Sequence, residues 1–428
     1  MVMDTESYFV VRERCFDGQY IREYPGALAG SQEDTLQLHA KQYIPRELVA
    51  SDGTTTAGDV TVIGFHANAF HKEIYEPFWA DLHACMRNNY GVLIGSIWIA
   101  DQAFMGQSAV LNEGKLGNDP HWFDHARDVL NMVNTFRKEM TRPIVGVGHS
   151  MGGAQAVAVA HYHPRLFTSL VLIDPPMTGA WVRTTGLIIQ VTVDKPQWFP
   201  SQQAAMEATR KNPFFKRWDK RAVQRYCETA WKKIGGGEGS EAVSFTTSPQ
   251  AELAHTVRAN PNVIDNKSGS PEEQYLYPDV DWTTELSRPV YQPAIQKAFS
   301  FLPTLRPSAL YIIGKGSQFT PPEVVEERTR ITGSGVGGSG GVERGKVAQR
   351  VVTGGHFLPM TNPVETAKFA AEWLSADLTE WRRIESEWLE RWHQKSLAEK
   401  QQQSPQVVKL FKQWNGKPWP RESAPSKL

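Results

Sequence analysis

Short apolar runs alternate along the first half of the chain with longer stretches of helical spacing. Phe9-Val10-Val11 and Leu36-Gln37-Leu38-His39-Ala40 predict two early strands, the second alternating apolar and polar. Val60-Thr61-Val62-Ile63-Gly64-Phe65 predicts a buried strand, and residues 73–88 a helix with Phe78, Leu82, Cys85 and Met86 on one face. Residues 91–97 predict the next strand. Residues 122–139 predict a strongly amphipathic helix carrying Ala126, Val129, Leu130, Val133 and Phe136. Residues 144–148 and 169–173 predict two further strands. Such an order implies a mostly parallel sheet covered on both faces by helices.

The pattern lapses over residues 176–307, which are rich in Trp, Gln, Lys and Arg. Weak helical periodicity survives at residues 202–211 and 220–233, with a break at Gly235-Gly236-Gly237. A structureless connection of this length is improbable in a packed domain, so the segment reads as a mainly helical lid inserted between two strands. Sheet periodicity resumes at residues 309–314 and 350–352, and a last core helix is expected over residues 363–374. The organisation is a core of residues 1–175 and 308–375, the insertion 176–307, and a C-terminal part 376–428. In that last part Leu378, Trp381, Ile384, Trp388 and Trp392 fall at helical spacing, a stripe expected to dock on the body of the protein. Gly333-Ser334-Gly335-Val336-Gly337-Gly338 formally spells G-x-G-x-x-G. No strand precedes it and no helix follows, so it reads as a flexible loop, not as a dinucleotide site.

The chemistry concentrates at Gly148-His149-Ser150-Met151-Gly152, a G-x-S-x-G that follows the strand over residues 144–148 and runs into small, helix-compatible residues. That strand, turn and helix order is the context a nucleophile elbow requires. Ser150 would stand at the head of the sheet, with the Met151 N–H at a helix N-terminus aimed at any oxyanion formed there. His356, on the glycine-rich loop Gly354-Gly355 just past the final strand, is the expected base. The usual place for an orienting acid, after the strand over residues 309–313, reads Gly314-Lys315-Gly316-Ser317-Gln318 and holds no carboxylate. Asp174, ending the strand after the elbow helix, is the preferred acid. Glu323, with Glu326 and Glu327, is the alternative. The second oxyanion donor is expected from the loop His66-Ala67-Asn68, through the Asn68 N–H with a further bond from its side chain. His149 is expected to line the pocket or pack. Lys72 and Glu73 are expected to pair with each other or to open the next helix.

Composition narrows the function classes. Lys and Arg number 46 and so do Asp and Glu, leaving a formal charge of zero and no field that would favour nucleic acid. Three cysteines without metal-ligand spacing read as reduced thiols, and no metal or cofactor is implied. No apolar run is long enough for a transmembrane helix, and the N-terminus lacks the layout of a signal peptide. The sequence closes on Ser426-Lys427-Leu428, a tripeptide that peroxisomal import receptors read.

With these residues in place the chain resembles the α/β-hydrolase superfamily over residues of about 8 to 375. The segments HANAFHKEIYEPFW, DHARDVLNMVNTFR, PIVGVGHSMGGAQA and HPRLFTSLVLIDPP resemble more narrowly a fungal branch of it. That branch includes a yeast peroxisomal lipase-like hydrolase and hydrolases of Alternaria host-selective-toxin clusters. The resemblance implies an α/β-hydrolase fold, a mostly parallel eight-stranded sheet with an inserted helical lid. It also implies an active Ser150–His356 pair and a role in peroxisomal lipid or secondary metabolism. The expected reaction is hydrolysis of an ester or thioester of a hydrophobic acid through an acyl-serine. Trp181, Leu187, Ile188, Trp198 and Phe199 are candidates for the acyl pocket. A lyase, cyclase or C–C hydrolase step on the same site, or a non-catalytic binding role, are the alternatives, because fold alone does not decide chemistry.

Overall fold

Successive residues of the central strands are apolar because each faces a different layer. In the computed structural model, which describes residues 5–179, 185–235, 241–280, 282 and 288–414, Val60 and Val62 bury into one hydrophobic cluster while Ile63 and Phe65 bury into the other. Val171 and Ile173 alternate with Leu170 and Leu172 in the same way, as do Leu310 and Ile312 with Ala309 and Tyr311. A strand with period-two side chains and two buried faces has no polar side to show, which is why these runs are continuous. Each such side chain, fully buried, contributes about 1.5–3 kcal/mol.

Eight strands form the sheet: β1 (Phe9–Asp17), β2 (Gln37–Pro45), β3 (Val60–Phe65), β4 (Ile94–Ala100), β5 (Ile144–His149), β6 (Phe167–Ile173), β7 (Ser308–Gly314) and β8 (Val347–Val352). Their spatial order is β1-β2-β4-β3-β5-β6-β7-β8. β1 and β2 are antiparallel, and β2 runs antiparallel to β4; β3 to β8 are mutually parallel. On one face lie α1 (Glu76–Tyr90), through Phe78, Leu82 and Met86, and residues 367–378 of the long C-terminal helix. The other face carries α2 (Trp122–Phe136) and α3 (Met151–Tyr162). This is the expected α/β-hydrolase architecture.

The strand predicted over residues 91–97 begins at Ile94 instead. Gly91, at φ 64°, ends α1 in the left-handed conformation that helix C-caps favour, so the chain needs a few residues to turn into the sheet. The insertion holds α4 (Thr185–Val193), α5 (Gln202–Lys211), α6 (Lys220–Thr229) and α7 (Pro249–Thr256). α6 stops at Thr229, short of the expected residue 233, because Trp231–Lys233 pairs as a strand with Val243–Phe245. α8 (Pro293–Phe301) packs Ala294, Ala298 and Phe301 into the cluster that contains α3, so the layer covering the sheet resumes before residue 308.

α9 (Pro322–Ile331) leads into the glycine-rich loop, which is tied down by Gly333 N–H to the Leu302 carbonyl (2.8 Å) and Gly335 N–H to that of Pro303 (2.7 Å). The loop is therefore a pinned turn and not the loose one expected. The last core helix does not stop at residue 374; α10 runs from Pro363 to His393. The chain divides into two compact units, residues up to Leu378 and residues from Thr379 on. In the second unit Trp388 and Trp392 stack with ring centroids 5.5 Å apart. Trp181 and Ser426-Lys427-Leu428 lie outside the described residues, as do the side chains of Leu187 and Ile188. Among the described residues no helix is long and apolar enough to cross a membrane.

Candidate active site

The turn after β5 is built by close backbone approach. A Cβ on Gly152 would come within 2.3 Å of the Phe65 carbonyl oxygen at the end of β3, so only glycine lets α3 start there. Ser150 takes φ 55° and ψ −123°, a strained conformation for a residue with a side chain, and its N–H is anchored to the Ile173 carbonyl at 2.9 Å. The Met151 N–H opens α3, where helix geometry leaves amides without intrahelical acceptors.

β6 lies beside β5 and ends at Ile173, opposite His149 in register. The next residue, Asp174, has φ 46° and hangs its backbone N–H on the Ile312 carbonyl of β7 at 2.8 Å. β8 is one strand further away, so its loop must cross β7 to reach Asp174. Gly314 at the end of β7 allows this, since a Cβ there would come within 2.2 Å of the Gly355 carbonyl oxygen. The crossing is fastened by Gly316 N–H to the Gly354 carbonyl at 2.8 Å.

The result is one hydrogen-bonded chain. His356 Nδ1 lies 2.6 Å from Asp174 Oδ2, and His356 Nε2 lies 2.8 Å from Ser150 Oγ. The Asp174 carboxylate, fully buried, also accepts the Thr320 hydroxyl at 2.7 Å, the Ser317 hydroxyl at 2.5 Å and the Gly314 N–H at 3.2 Å. Burial pushes its pKa up, but bonds to His356, Ser317 and Thr320 outweigh this and hold it below the usual carboxylate range. Such a group supports an imidazolium at Nδ1 and keeps the ring's Nε2 free to take a proton from Ser150. Glu323 stands in the first turn of α9, outside this hydrogen-bonded chain. Ser317, where an acid was expected, donates its hydroxyl to the Asp174 carboxylate instead. Neither it nor Thr320 announced itself in sequence, because a hydroxyl serving a carboxylate 140-odd residues away has no local pattern.

The Asn68 side chain does not face the serine as expected. Its Nδ2 donates to the Glu252 carbonyl (3.0 Å) and to Thr256 Oγ1 (2.8 Å) on α7, and its Oδ1 accepts the Ala69 N–H (2.8 Å). The insertion takes these groups, so of the expected oxyanion contacts only the one from the backbone N–H is left to consider. His149 is buried with both ring nitrogens bonded, so it does not line a pocket. Lys72 and Glu73 do pair, at 2.9 Å, and Lys72 also reaches Asp101 at 2.6 Å in a fully buried pair that braces the loop after β3. Phe199 packs within the insertion against Trp231 and Phe245, and Trp198 is exposed, so neither behaves as a pocket wall. Among the described residues no group of three or more His, Cys, Asp or Glu side chains could hold a metal ion.

A model of the alpha/beta hydrolase family matches residues 66–369, a span that holds Ser150, Asp174 and His356. The chain belongs to the alpha/beta hydrolase family. It is an enzyme of that family, and several relatives refine the picture. It is 36% identical over 405 residues to the type I acyl-CoA thioesterase mpaH of Penicillium roqueforti, covering 89% of this chain and 90% of that one. The Alternaria alternata abhydrolase domain-containing protein AFT2-1 is 29% identical over 249 residues, covering 56% of this chain and 85% of that protein. Among solved structures, the yeast peroxisomal alpha-beta-hydrolase Lpx1 superposes with a TM-score of 0.63 at 19% identity, over 87% of this chain and 90% of that one, which speaks to the fold. The fungal branch read from the four sequence segments is thus among the hydrolase's relatives.

Proposed function

We propose that this α/β-hydrolase is a serine thioesterase that releases a hydrophobic carboxylic acid from its acyl-CoA thioester. The observation carrying the reading is the unbroken Ser150–His356–Asp174 hydrogen-bonded chain, with bonds of 2.8 and 2.6 Å, in a chain 36% identical to an acyl-CoA thioesterase over nearly its whole length. His356 Nε2 takes the Ser150 hydroxyl proton as Oγ attacks the thioester carbonyl. The oxyanion is held by the N–H groups of Met151 and Asn68. The C–S bond then breaks, His356 returns the proton to the leaving thiolate, and free CoA departs from an acyl-serine. Water attacks the acyl-serine with His356 again the base, releasing the acid and restoring Ser150. Asp174 holds the Nδ1–H tautomer throughout and stays ionised.

Purified protein offered acyl-CoA thioesters of graded chain length should release free thiol, read with a chromogenic disulfide, faster than it cleaves p-nitrophenyl esters or glycerides of the same acids. Release from the esters alone would replace the thioesterase reading with an esterase or lipase one. We assign the enzyme to the peroxisome, with an import receptor as its partner, in lipid or secondary metabolism. The support is the Ser426-Lys427-Leu428 tripeptide together with a yeast relative described as peroxisomal. A fluorescent fusion should collect in peroxisomal puncta and become diffuse when Leu428 is deleted; puncta that persist would overturn the assignment.

A further inference from the structure

Behind the catalytic chain runs a second line of hydrogen bonds that no step of the reaction uses. The Ala67 N–H donates to Tyr75 Oη at 2.8 Å, Tyr75 Oη lies 2.9 Å from His149 Nδ1, and His149 Nε2 lies 2.9 Å from the carbonyl oxygen of His356. Tyr75 and His149 are both buried.

The hydrogens of this line are assigned by elimination. A carbonyl can only accept, so His149 Nε2 carries the hydrogen and donates to His356 O. Burial, and then the neighbouring His356 charge, push the His149 pKa down to about 3, so the ring is neutral and Nδ1 is an acceptor. Tyr75 must therefore give its hydroxyl hydrogen to His149 and accept from Ala67. Every group in the line is satisfied in one arrangement only.

What the line connects is the point of interest. Ala67 belongs to the loop after β3 that carries the Asn68 N–H, His149 precedes Ser150, and His356 is the base. The Ala67 carbonyl is held as well. The Gln102 N–H donates to His66 Nε2 at 3.0 Å, so His66 Nδ1 carries the ring hydrogen and donates to the Ala67 carbonyl at 2.9 Å. The Ala67–Asn68 peptide plane is thereby fixed, and with it the direction of the Asn68 N–H, because amide N–H and C=O point oppositely across a trans peptide.

We propose that Tyr75 and His149 are positioning residues that tie the oxyanion loop to the backbone of the catalytic histidine, setting the distance between oxyanion hole and base. This rests on the hydrolytic reading above. Neither residue touches the reacting atoms. Their effect belongs to the transition state, since the ground-state carbonyl makes little use of a hole placed for the oxyanion.

The test compares wild type with Tyr75→Phe, His149→Asn, His149→Gln and His149→Phe, using an acyl-CoA substrate and a trifluoromethyl ketone analogue of CoA. Tyr75→Phe keeps the ring but removes the junction, and should lower kcat about tenfold while KM stays within about twofold. Affinity for the ketone, which forms the tetrahedral adduct, should fall by the same factor as kcat. His149→Phe, losing both bonds, should lose about a hundredfold. His149→Asn restores only the acceptor toward Tyr75, and His149→Gln only the donor toward His356 O, so each should fall between wild type and His149→Phe. Thermal midpoints are measured in parallel. Variants that melt lower yet keep wild-type kcat and ketone affinity would show a packing role only and overturn the proposal, as would a loss confined to KM. A wild-type enzyme that neither turns over thioesters nor reacts with a fluorophosphonate would overturn the hydrolytic reading and this inference with it. An active wild type beside fully active variants would overturn this inference alone.

Discussion

Ser150→Ala is expected to lower kcat for acyl-CoA hydrolysis by 10³-fold or more while leaving the thermal midpoint within a few degrees of wild type. The loss is large because Oγ is the atom that forms the covalent bond, and nothing else in the hydrogen-bonded chain can replace it. Residual rate over water would come from the oxyanion donors and from substrate binding. The fold should survive, since the serine hydroxyl bonds His356 Nε2 and the strained turn is anchored through its backbone N–H to Ile173. The same assay separates the two acids read from the sequence. Asp174→Asn should cost about 10⁴-fold, because an amide at that position favours the wrong tautomer of His356. Glu323→Gln should cost almost nothing. Retained turnover in Ser150→Ala, seen by thiol release in a preparation free of wild type, would remove the acyl-serine mechanism.

Acidification from pH 6.5 towards pH 4.5 is expected to unfold the enzyme cooperatively. His71 and His255 are buried and held at about 4, and His149 at about 3, in each case chiefly by burial, which penalises the charged ring. The unfolded chain binds a proton at each of these sites below the ordinary histidine pKa of about 6.5, and the native chain does not. A depressed folded pKa means that the unfolded state holds more protons in this window, so stability is intact above about pH 6.5 and falls as pH drops. Three protons give a slope approaching 4 kcal/mol per pH unit below about pH 5.5, large against a typical total stability of about 5–15 kcal/mol. His66, His121 and His125, lowered by the same burial, act in the same direction. Glu76 and Asp128, raised by burial, take up native-state protons above the ordinary carboxylate range and oppose it, two groups against these six histidines. Asp174, held low, adds to the loss below about pH 4. Urea titrations at half-unit intervals should give an unfolding free energy that falls ever more steeply through pH 6 and 5. A flat profile across that range would show that the native state protonates these rings or opens to water.

Much of this enzyme is written in local pattern. The strand Val60–Phe65 and the helix Gln202–Lys211 have the bounds their residues imply, because burial periodicity and turn residues act within a few positions of one another. The strand, turn and helix around Ser150, and the glycines before His356, are likewise local signals, since each constraint is a backbone angle or a close approach. Which carboxylate stands beside His356 is not local. It depends on the strand order, on a loop crossing over Gly314, and on hydroxyls of Ser317 and Thr320 from the loop after β7. The Asn68 side chain was expected at the oxyanion, and contact with α7 of the insertion draws it away. His149 looked like a pocket or packing residue, and only the approach of Tyr75 and of the His356 carbonyl, from separate parts of the chain, gives both of its ring nitrogens a partner. Sequence by itself determines the elements, the strand-turn-helix around Ser150 and the loop that carries His356, because these follow from propensity and period. Tertiary structure alone decides which carboxylate meets His356, the ring tautomers and the direction of the Asn68 N–H. Those are set by hydrogen bonds between residues far apart in the chain, whose energies exist only once the sheet has brought them together.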